Sequence, residues 1–411
     1  MLRTLSTPLM GSIHKWRCSA LLGPRQAGKT TLLRRLVNGA GVFIDFDDPL
    51  VRAEARHDPV SFLRAHRDTA RMLVIDEAAK VPEIFDAVKV LVDEGGKTPS
   101  RILLATSGNY LMLNRIRETL AGRVHLLRVY PFAWGEEGGD PGLLQLNSLS
   151  RPMASMSRQA LAWRRSRESF LVEGGFPPLA GLNSADKDMW FRDYTTTYVA
   201  PLVSEHFRLR DIGAFETFAR LALMRTSQTV NLNALAPLVG VSLPTLQSYA
   251  DILDAMMVTI RLEPFSRNPS KRLIKHPKWH AVDPGLARHA MGIRPHFTAL
   301  AESGNLGPLY ESFVVMETMK VLAHRDSIFN LYHWRTADGA EVDAVLEMGG
   351  DVWALGAKAS PKLSPRMMTG LKSFLEDNPG ARGGLIVYPG TTIQKLDRRI
   401  WAVPDGWLFG R

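Results

Sequence analysis

Residues 21–36 read LLGPRQAGKTTLLRRL. The stretch begins with two apolar residues, passes through glycines at 23 and 28, and continues into a leucine-rich amphipathic run. Gly23, Gly28, Lys29 and Thr30 fit the spacing G-x-x-x-x-G-K-[ST]. In such a loop, backbone N–H groups surround phosphate oxygens, the lysine supplies a positive charge, and the hydroxyl ligates Mg²⁺. The stretch therefore predicts a phosphate-binding loop.

The sequence on either side of the loop supports this prediction. CSALL at residues 18–22 is a short apolar run typical of a buried strand, and the residues after the loop are helix-like. A phosphate-binding loop requires this order of strand, loop and helix. We expect nine consecutive residues to bind ATP: Gly23, Pro24, Arg25, Gln26, Ala27, Gly28, Lys29, Thr30 and Thr31.

An acidic motif lies downstream, in RMLVIDEAA at residues 71–79. Four apolar residues bring Asp76 and Glu77 to the carboxyl end of a predicted buried strand, where two adjacent carboxylates are otherwise costly. Because Mg²⁺ prefers oxygen ligands, we expect Thr30 and Asp76 to hold it. Glu77 is then the candidate that orients and deprotonates an attacking water.

A further predicted strand, RILLATSGN at residues 101–109, ends in polar residues. Ser107 or Asn109 is placed to position water beside a γ-phosphate, and Asn109 is our catalytic candidate. Three arginines follow in the chain: Arg115, Arg117 and Arg123. A cation there, from the same chain or a neighbouring copy, can neutralise transition-state charge. Arg123 is the preferred candidate for this role.

Short apolar runs alternate with helix-like stretches between residues 18 and 134. The strand-like runs are CSALL, GVFIDF, RMLVIDE, RILLAT and RVHLLRV. Strands separated by helices predict a parallel, doubly wound α/β sheet of the P-loop NTPase type. A stretch rich in Gly, Pro and Ser follows, so this domain is expected to comprise residues 1–140.

The pattern is mainly helical over residues 155–325. Within it, residues 214–265 contain a helix, a glycine turn, a second helix and a strand-like tail, which is typical of a helix-turn-helix with a wing. Polar side chains able to reach DNA are expected on the second helix: Ser242, Thr245, Gln247 and Ser248. Strands return over residues 326–411, which we predict to be a third domain of α/β type.

The charge balance favours an anionic partner. The chain has 51 Lys and Arg against 41 Asp and Glu, a formal net charge of +10. Such a balance is typical of proteins that bind nucleic acid. One segment, RNPSKRLIKHPKWH, interleaves Trp279 with five cations: Arg267, Lys271, Arg272, Lys275 and Lys278. This basic surface is suited to contact phosphates and stack on bases, and the alternative is a solvated loop with no partner.

The remaining composition limits where the protein acts. At 411 residues the chain is expected to form two or three domains. No apolar run reaches the roughly 18 to 20 residues of a spanning helix, so no membrane partner is expected. The single cysteine, Cys18, excludes an internal disulfide and fits the reducing cytoplasm. The sequence leaves open whether the chain forms a homo-oligomer.

The motifs and their order resemble the AAA-type P-loop ATPases that carry a C-terminal DUF4143 domain. The likeness extends over almost the whole chain and includes GPRQAGKTTLLRRL, LVIDEAAKVPEIFDAVKVLVDE, LAGRVHLLRVYPFAWGE, EGGFPPL and YHWRTADGAEVDAVLE. The resemblance implies an ATP-binding domain, a winged helix, and a C-terminal α/β domain with a restriction-endonuclease-like core.

Nucleases with such a core hold Mg²⁺ through an acid on one strand, an acid-x-lysine on the next strand, and often a helix glutamate. The residues that fit these places are Asp343 as the first acid, Lys358 as the lysine, and Glu311 or Glu317 on the helix. The second strand acid is missing, because its position is occupied by Gly356. Unless Glu341 or Glu347 substitutes for it, the domain is a degenerate nuclease that does not cleave.

The sequence thus predicts a Mg²⁺-dependent protein that binds and hydrolyses ATP and acts as a nucleotide-driven switch on a partner. One alternative is a nucleotide-gated DNA-binding protein with little hydrolysis. Another is an ATP-coupled nuclease, which the glycine at 356 disfavours. DNA binding that persists in Lys29→Ala favours the first alternative, and metal-dependent cleavage that is lost in Asp343→Ala favours the second.

Overall fold

The computed structural model describes residues 3–38, 41–67, 71–96, 101–107, 109–136, 166–196, 211–266 and 276–409. These residues form two units. The first contains the described part of 1–131 together with Ala255–Met257 and Ala323–Asp326, and the second contains the described remainder. None of the helices in this part of the chain has the length and apolar character needed to cross a membrane.

The first unit is built on a five-stranded sheet. Its strands are β1 (Cys18–Leu22), β2 (Gly41–Asp45), β3 (Met72–Asp76), β4 (Ile102–Thr106) and β5 (Val124–Arg128). They lie in the order β2-β3-β4-β1-β5, and every neighbouring pair is parallel. The three central strands are buried along their whole length, as expected where helices cover both faces. The predicted parallel α/β sheet is confirmed.

Helices cover both faces of this sheet. They are α1 (Ser6–Lys15), α2 (Lys29–Val37), α3 (Pro49–His57), α4 (Pro59–His66), α5 (Ile84–Glu94) and α6 (Asn109–Thr119). Because successive strand residues point to opposite faces, Leu21 of β1 packs with Leu9 of α1 and Leu33 of α2. Ala20 of β1 belongs instead to the core that contains Phe62 of α4.

Local sequence fixes where two of these helices begin. Asp48 precedes a proline, and its side chain accepts a hydrogen bond from the Leu50 N–H at 2.8 Å. Asp58 does the same for the Ser61 N–H at 3.0 Å. An aspartate at the N-cap followed by proline at the first helical position satisfies free N–H groups and presets the backbone for a helix.

The second unit is built on a mixed nine-stranded sheet. Its strands are β6 (Gln228–Thr229), β7 (Thr259–Pro264), β8 (Lys278–Ala281), β9 (Phe329–Arg335), β10 (Glu341–Met348), β11 (Asp351–Ala357), β12 (Gly383–Tyr388), β13 (Gln394–Asp397) and β14 (Ile400–Pro404). Their order is β13-β14-β12-β11-β10-β9-β7-β8-β6. Strands β9, β10 and β11 are antiparallel neighbours, and β12 runs parallel to both β11 and β14.

The helices beyond residue 165 are α7 (Arg167–Glu173), α8 (Ser184–Tyr194), α9 (Ile212–Met224), α10 (Leu232–Val239), α11 (Leu243–Ala255), α12 (Pro284–Ala290), α13 (Phe297–Glu302), α14 (Leu306–Ala323), α15 (Thr369–Asp377) and α16 (Asp405–Phe409). Helix α14 buries most of its residues. Leu371 and Phe374 of α15 share a core with Val345 of β10 and Ile386 of β12.

A glycine pair joins α7 to α12 within the second unit. Asp283 caps α12, since its Oδ1 accepts the Leu286 N–H at 3.0 Å, and its Oδ2 accepts the Gly175 N–H at 2.6 Å. Gly174 has a φ of +76°, and a Cβ placed there would lie 2.0 Å from Asp283 Oδ1. Glycine is therefore required at 174 both by backbone conformation and by space.

Candidate functional site

The loop between β1 and α2 has the local geometry of an anion-binding turn. Gly28 has a φ of +87°, a conformation that favours glycine, and α2 begins directly after it at Lys29. A Cβ at Gly23 would lie 2.4 Å from Val129 Cγ1, so the chain passes too close there for any side chain. The N-terminus of α2 thus lies at the loop, where free N–H groups and the helix dipole favour a negative charge.

The Lys29 side chain is folded inside this loop. It is only 5% exposed, and its ammonium donates hydrogen bonds to the carbonyl oxygens of Gly23 at 2.9 Å and Pro24 at 2.8 Å. Burial lowers the pKa of Lys29 to about 8, although the carboxylates of Glu77 and Asp76 act in the opposite direction. A buried ammonium whose hydrogen bonds go to neutral carbonyls is well suited to an anionic ligand.

Thr30 and Asp76 meet at the carboxyl edge of the sheet. The Thr30 hydroxyl donates a hydrogen bond of 2.6 Å to Asp76 Oδ2. Asp76 ends β3 and is 1% exposed, and burial raises the pKa of its carboxyl group while the Thr30 hydrogen bond opposes the rise. A hydroxyl and a carboxylate are hard oxygen donors of the kind that Mg²⁺ prefers, so these two residues fit the ion.

Glu77 is held by the end of the neighbouring strand. The Ser107 hydroxyl donates to its Oε1 at 2.8 Å, and the Ser107 N–H and the Thr106 hydroxyl donate to its Oε2 at 3.2 and 3.1 Å. Its backbone has a φ of +51°, which is uncommon for a residue with a side chain and is frequent at functional sites. The carboxylate is therefore fixed in position by three donors.

Two pairs of residues that are far apart in the sequence come together here. Lys29 and Thr30 follow β1, and Asp76 and Glu77 end or follow β3, so all four lie at one edge of the parallel sheet. Carboxyl ends of strands in such sheets are where ligands bind. The arrangement can hold phosphate, a divalent cation and a carboxylate that accepts a proton.

Family comparisons agree with this geometry. Residues 15–137 match the AAA domain, and residues 306–407 match DUF4143, a domain of unknown function. The chain therefore carries an AAA domain and a C-terminal DUF4143 domain. Residues 164–296, between the two, match a further domain of unknown function, DUF8612. The AAA match confirms the family that the sequence motifs indicate.

Two mycobacterial relatives match almost the whole chain. The uncharacterized proteins Mb2031c of Mycobacterium bovis and Rv2008c of Mycobacterium tuberculosis are each 29% identical to this chain, over 98% of it and 83% of their own length. Among solved structures, the Walker-type ATPase PABY2304 of Pyrococcus abyssi aligns with 15% identity and a TM-score of 0.44, over 70% of this chain and 94% of its own.

One predicted catalytic residue, Arg123, is not brought to the loop by the AAA domain. Arg123 lies at the amino ends of the strands, since its carbonyl accepts the Cys18 N–H, whereas the loop follows the carboxyl end of β1. Its guanidinium forms two hydrogen bonds with Asp93, at 2.7 and 3.0 Å. Asn109 begins α6, and its side chain lies outside the described residues.

The AAA domain also contains a contact that sequence reasoning missed. Arg3 is 7% exposed, and its guanidinium donates to the carbonyl oxygens of Ala27 at 2.6 Å and Tyr130 at 2.8 Å. It thereby fixes the phosphate loop to the segment after β5. No motif surrounds Arg3, so the sequence carries no signal for this role.

The predicted nuclease residues are only partly assembled in the DUF4143 domain. Glu311 and Asp343 lie close together, and Lys358 Nζ lies 3.8 Å from Asp343 Oδ2. Glu317 instead accepts hydrogen bonds from the Trp134 N–H at 2.7 Å and the Lys320 ammonium at 3.0 Å, both inside the second unit. Glu311 is therefore the helix acid of this cluster.

The prediction that the basic run at 267–279 forms an exposed surface is wrong for its last two residues. Lys278 is 2% exposed and Trp279 is 1% exposed, so neither can contact phosphates or stack on bases. Both lie on β8 in the interior of the second unit because Lys278 finds carboxylate partners there and Trp279 packs against Phe218. The other four cations of the run, at 267, 271, 272 and 275, lie outside the described residues.

The polar side chains expected to reach DNA lie on the outer face of α11. Ser242 caps the helix: its hydroxyl accepts the Thr245 N–H at 3.3 Å and lies 2.8 Å from the Thr245 hydroxyl. Gln247 and Ser248 are exposed. Residues 243–255 contain two aspartates and no Lys or Arg, so the helix offers little attraction to phosphates.

Proposed function

We propose that the protein binds ATP with Mg²⁺ at residues 23–31, hydrolyses it, and acts as a nucleotide-driven switch on a partner. The observation that carries the proposal is the position of the Lys29 ammonium. It is buried in a glycine loop at the N-terminus of a helix, and its hydrogen bonds go to two carbonyl oxygens. Phosphate oxygens satisfy this buried cation better than carbonyls do, because they bring the opposite charge.

Mg²⁺ fits the pair formed by Thr30 and Asp76. Both offer oxygen donors, and they already lie within 2.6 Å of each other. When bound, the ion neutralises charge on the β- and γ-phosphates. Asp76 contributes a negative charge that holds the ion at this edge of the sheet.

Glu77 is the proposed general base. A carboxylate that accepts the proton of an attacking water must be held in place while the reaction proceeds. Ser107 and Thr106 provide three donors that fix both carboxylate oxygens. We propose that Ser107 positions the base, and that Asn109 contacts the γ-phosphate from the start of α6.

We further propose that the second unit contains a winged helix and a degenerate nuclease-like core, with the domain bounds expected from the sequence. The order α9, β6, α10, α11, β7, β8 supports the winged helix, since β8 pairs antiparallel with both β6 and β7. Strands β9 to β12 with α15 packed on them support the core. Gly356 supports the absence of cleavage.

Phosphate release from ATP tests the proposal. Wild-type protein is expected to hydrolyse ATP with Mg²⁺ and to lose the activity when EDTA removes the ion. Lys29→Ala is expected to reduce the rate at least about 100-fold, because the positive charge that stabilises the phosphates is lost. Lys89→Ala, an exposed lysine on α5 of the same unit, is the matched control and should match wild type. Equal rates in the two lysine variants contradict the proposal.

A further inference from the structure

Three carboxylates converge inside the second unit. Glu311 belongs to α14, and Glu341 and Asp343 belong to β10. Both acids of β10 lie on the same side, since each approaches the Lys278 ammonium, and the register of β10 against β9 shifts between Val342 and Val345. Carboxylates placed so close together repel one another and require cations between them.

Lys278, the first residue of β8 in the same sheet, provides that cation. Its ammonium lies 2.6 Å from Glu311 Oε1, donates a hydrogen bond to Glu341, and lies 3.7 Å from Asp343 Oδ1. Burial alone lowers the pKa of Lys278, but the carboxylates of Glu311, Asp343 and Glu341 outweigh burial and raise it above its usual range. The side chain therefore stays charged.

Two further cations lie at the edge of the cluster. Lys358 Nζ is 3.8 Å from Asp343 Oδ2, and Arg335 Nη1 is 3.9 Å from Glu341 Oε2. Among the described residues, three cations therefore lie within 4 Å of three acids, and burial raises the pKa of Glu311 to about 8, so the cluster has no excess negative charge for a metal to neutralise. A divalent ion would add two charges to this balance and would have to displace the Lys278 ammonium.

The remaining ligand of a metal site is also missing. A Cβ at Gly356 would lie 3.9 Å from Asp343 Oδ2, so there is room for a side chain where none is present. Asp343 Oδ2 instead accepts the Ala357 N–H at 2.7 Å. Within the described ranges, no group of three His, Cys, Asp or Glu side chains is arranged to hold a metal ion. The residues present do not fit a divalent cation.

We propose that the Lys278 ammonium takes the place of the divalent metal in this carboxylate cluster, so that the acids of the DUF4143 domain are stabilised by a cation from β8, which precedes that domain in the chain, and exclude metal. The proposal rests on the nuclease-like core proposed above. This role of Lys278 is separate from ATP binding at the phosphate loop and from the contact with nucleic acid that the sequence predicts for this residue. The proposal also implies that a metal ion can enter only after the ammonium is removed.

A titration of the full chain with Mn²⁺ in the absence of nucleotide tests this directly. Binding is measured from the electron paramagnetic resonance signal of the free ion. Wild type and Asp343→Asn are expected to bind equally. Lys278→Met is expected to gain a site at least about tenfold tighter than any wild-type binding, and Lys278→Met/Asp343→Asn to lose it. A folded Lys278→Met without a new site overturns the proposal, as does a wild-type site that Asp343→Asn removes.

Lys320→Met is the matched control. Lys320 is a fully buried lysine of α14 that pairs with one carboxylate, Glu317, at 3.0 Å. Because no carboxylate cluster surrounds it, its removal is expected to create no Mn²⁺ site. A site of equal affinity in Lys320→Met shows that any buried carboxylate binds the ion once its lysine partner is removed, and overturns the proposal.

Lys278→Met can fail to fold, since it leaves buried carboxylates without their cation. Urea unfolding of Lys278→Met/Glu311→Gln/Glu341→Gln covers that case. The proposal predicts a midpoint restored toward wild type, because the cation and two of its carboxylates are removed together. A midpoint no higher than that of Lys278→Met overturns it.

The two proposals fail separately. Absence of Lys29-dependent hydrolysis in wild type contradicts the ATPase proposal and leaves the Mn²⁺ result unaffected. A Mn²⁺ site that appears in Lys278→Met but survives Asp343→Asn contradicts the assignment of the cluster and leaves the ATPase proposal unaffected.

Discussion

The Thr30 hydroxyl donates a hydrogen bond of 2.6 Å to Asp76 Oδ2, across 46 residues of sequence. The contact joins the first turn of α2 to the end of β3, the two elements that a phosphate loop and an acidic strand end must bring together. The two oxygen donors proposed for Mg²⁺ are therefore already adjacent, so little reorganisation is required when the ion binds.

Thr30→Val is expected to weaken ATP binding about 10- to 100-fold in the presence of Mg²⁺, because the variant removes one oxygen donor and the hydrogen bond that orients Asp76 Oδ2. The loss should be much smaller in EDTA. Calorimetric titration with ATP under both conditions measures it. Thr217→Val, at an exposed position of α9, serves as the control. The same loss with and without Mg²⁺ would rule out a metal role for Thr30.

ATP affinity is expected to fall about tenfold from about pH 7 to about pH 9. The pKa of Lys29 is about 8 in the free protein because of burial. Phosphates favour the charged ammonium and raise this pKa in the complex, so binding takes up a proton above about pH 8 and weakens as pH rises further. Calorimetry in two buffers of different ionisation enthalpy detects the proton. Proton release, or an affinity independent of pH, is the contrary result.

Ser107→Ala is expected to lower kcat for ATP hydrolysis about 3- to 30-fold and to change KM less than about twofold. The reason is that Ser107 holds the Glu77 carboxylate through its hydroxyl at 2.8 Å, and the position of the base affects the chemical step more than nucleotide binding. Ser248→Ala, on the exposed face of α11, should leave both parameters unchanged. A rise in KM with constant kcat would assign Ser107 to nucleotide binding instead.

Gly174→Ala is expected to destabilise the second unit by about 3 kcal/mol or more, because it combines a positive φ with a Cβ placed 2.0 Å from Asp283 Oδ1. Gly181 has a φ of +85° and nothing within 4 Å of its Cβ position, so Gly181→Ala should cost only about 1 kcal/mol. Urea unfolding monitored by tryptophan fluorescence measures the free energy of unfolding of both variants. Equal losses would mean that the Asp283 contact gives way without cost.

Much of the first unit could be predicted from sequence, because its signals are local. Each central strand is a short apolar run, and the loop motif and Asp76–Glu77 directly follow such runs. In a parallel sheet, the chain direction alone places the ends of β1 and β3 at the same edge. The meeting of Lys29 with the acidic pair follows from these facts.

The rest depended on partners that are distant in sequence. Lys278 and Trp279 have the composition of an exposed basic run, and only the positions of Glu341 and Glu311 explain why the lysine is buried. Arg123 resembles a mobile cation until Asp93, 30 residues earlier, is placed beside it. Charge type can be read from a sequence, but the pairing of charges requires the tertiary fold.

Single-turnover hydrolysis by Glu77→Gln tests whether Glu77 is the general base. This variant is expected to bind ATP with Mg²⁺ within about threefold of wild type, and phosphate release is expected to fall at least about 100-fold because the proton acceptor is lost. Glu54→Gln, an exposed glutamate on α3, should hydrolyse at the wild-type rate. Phosphate release by Glu77→Gln at the wild-type rate, with ATP bound, would contradict the role of Glu77 as general base.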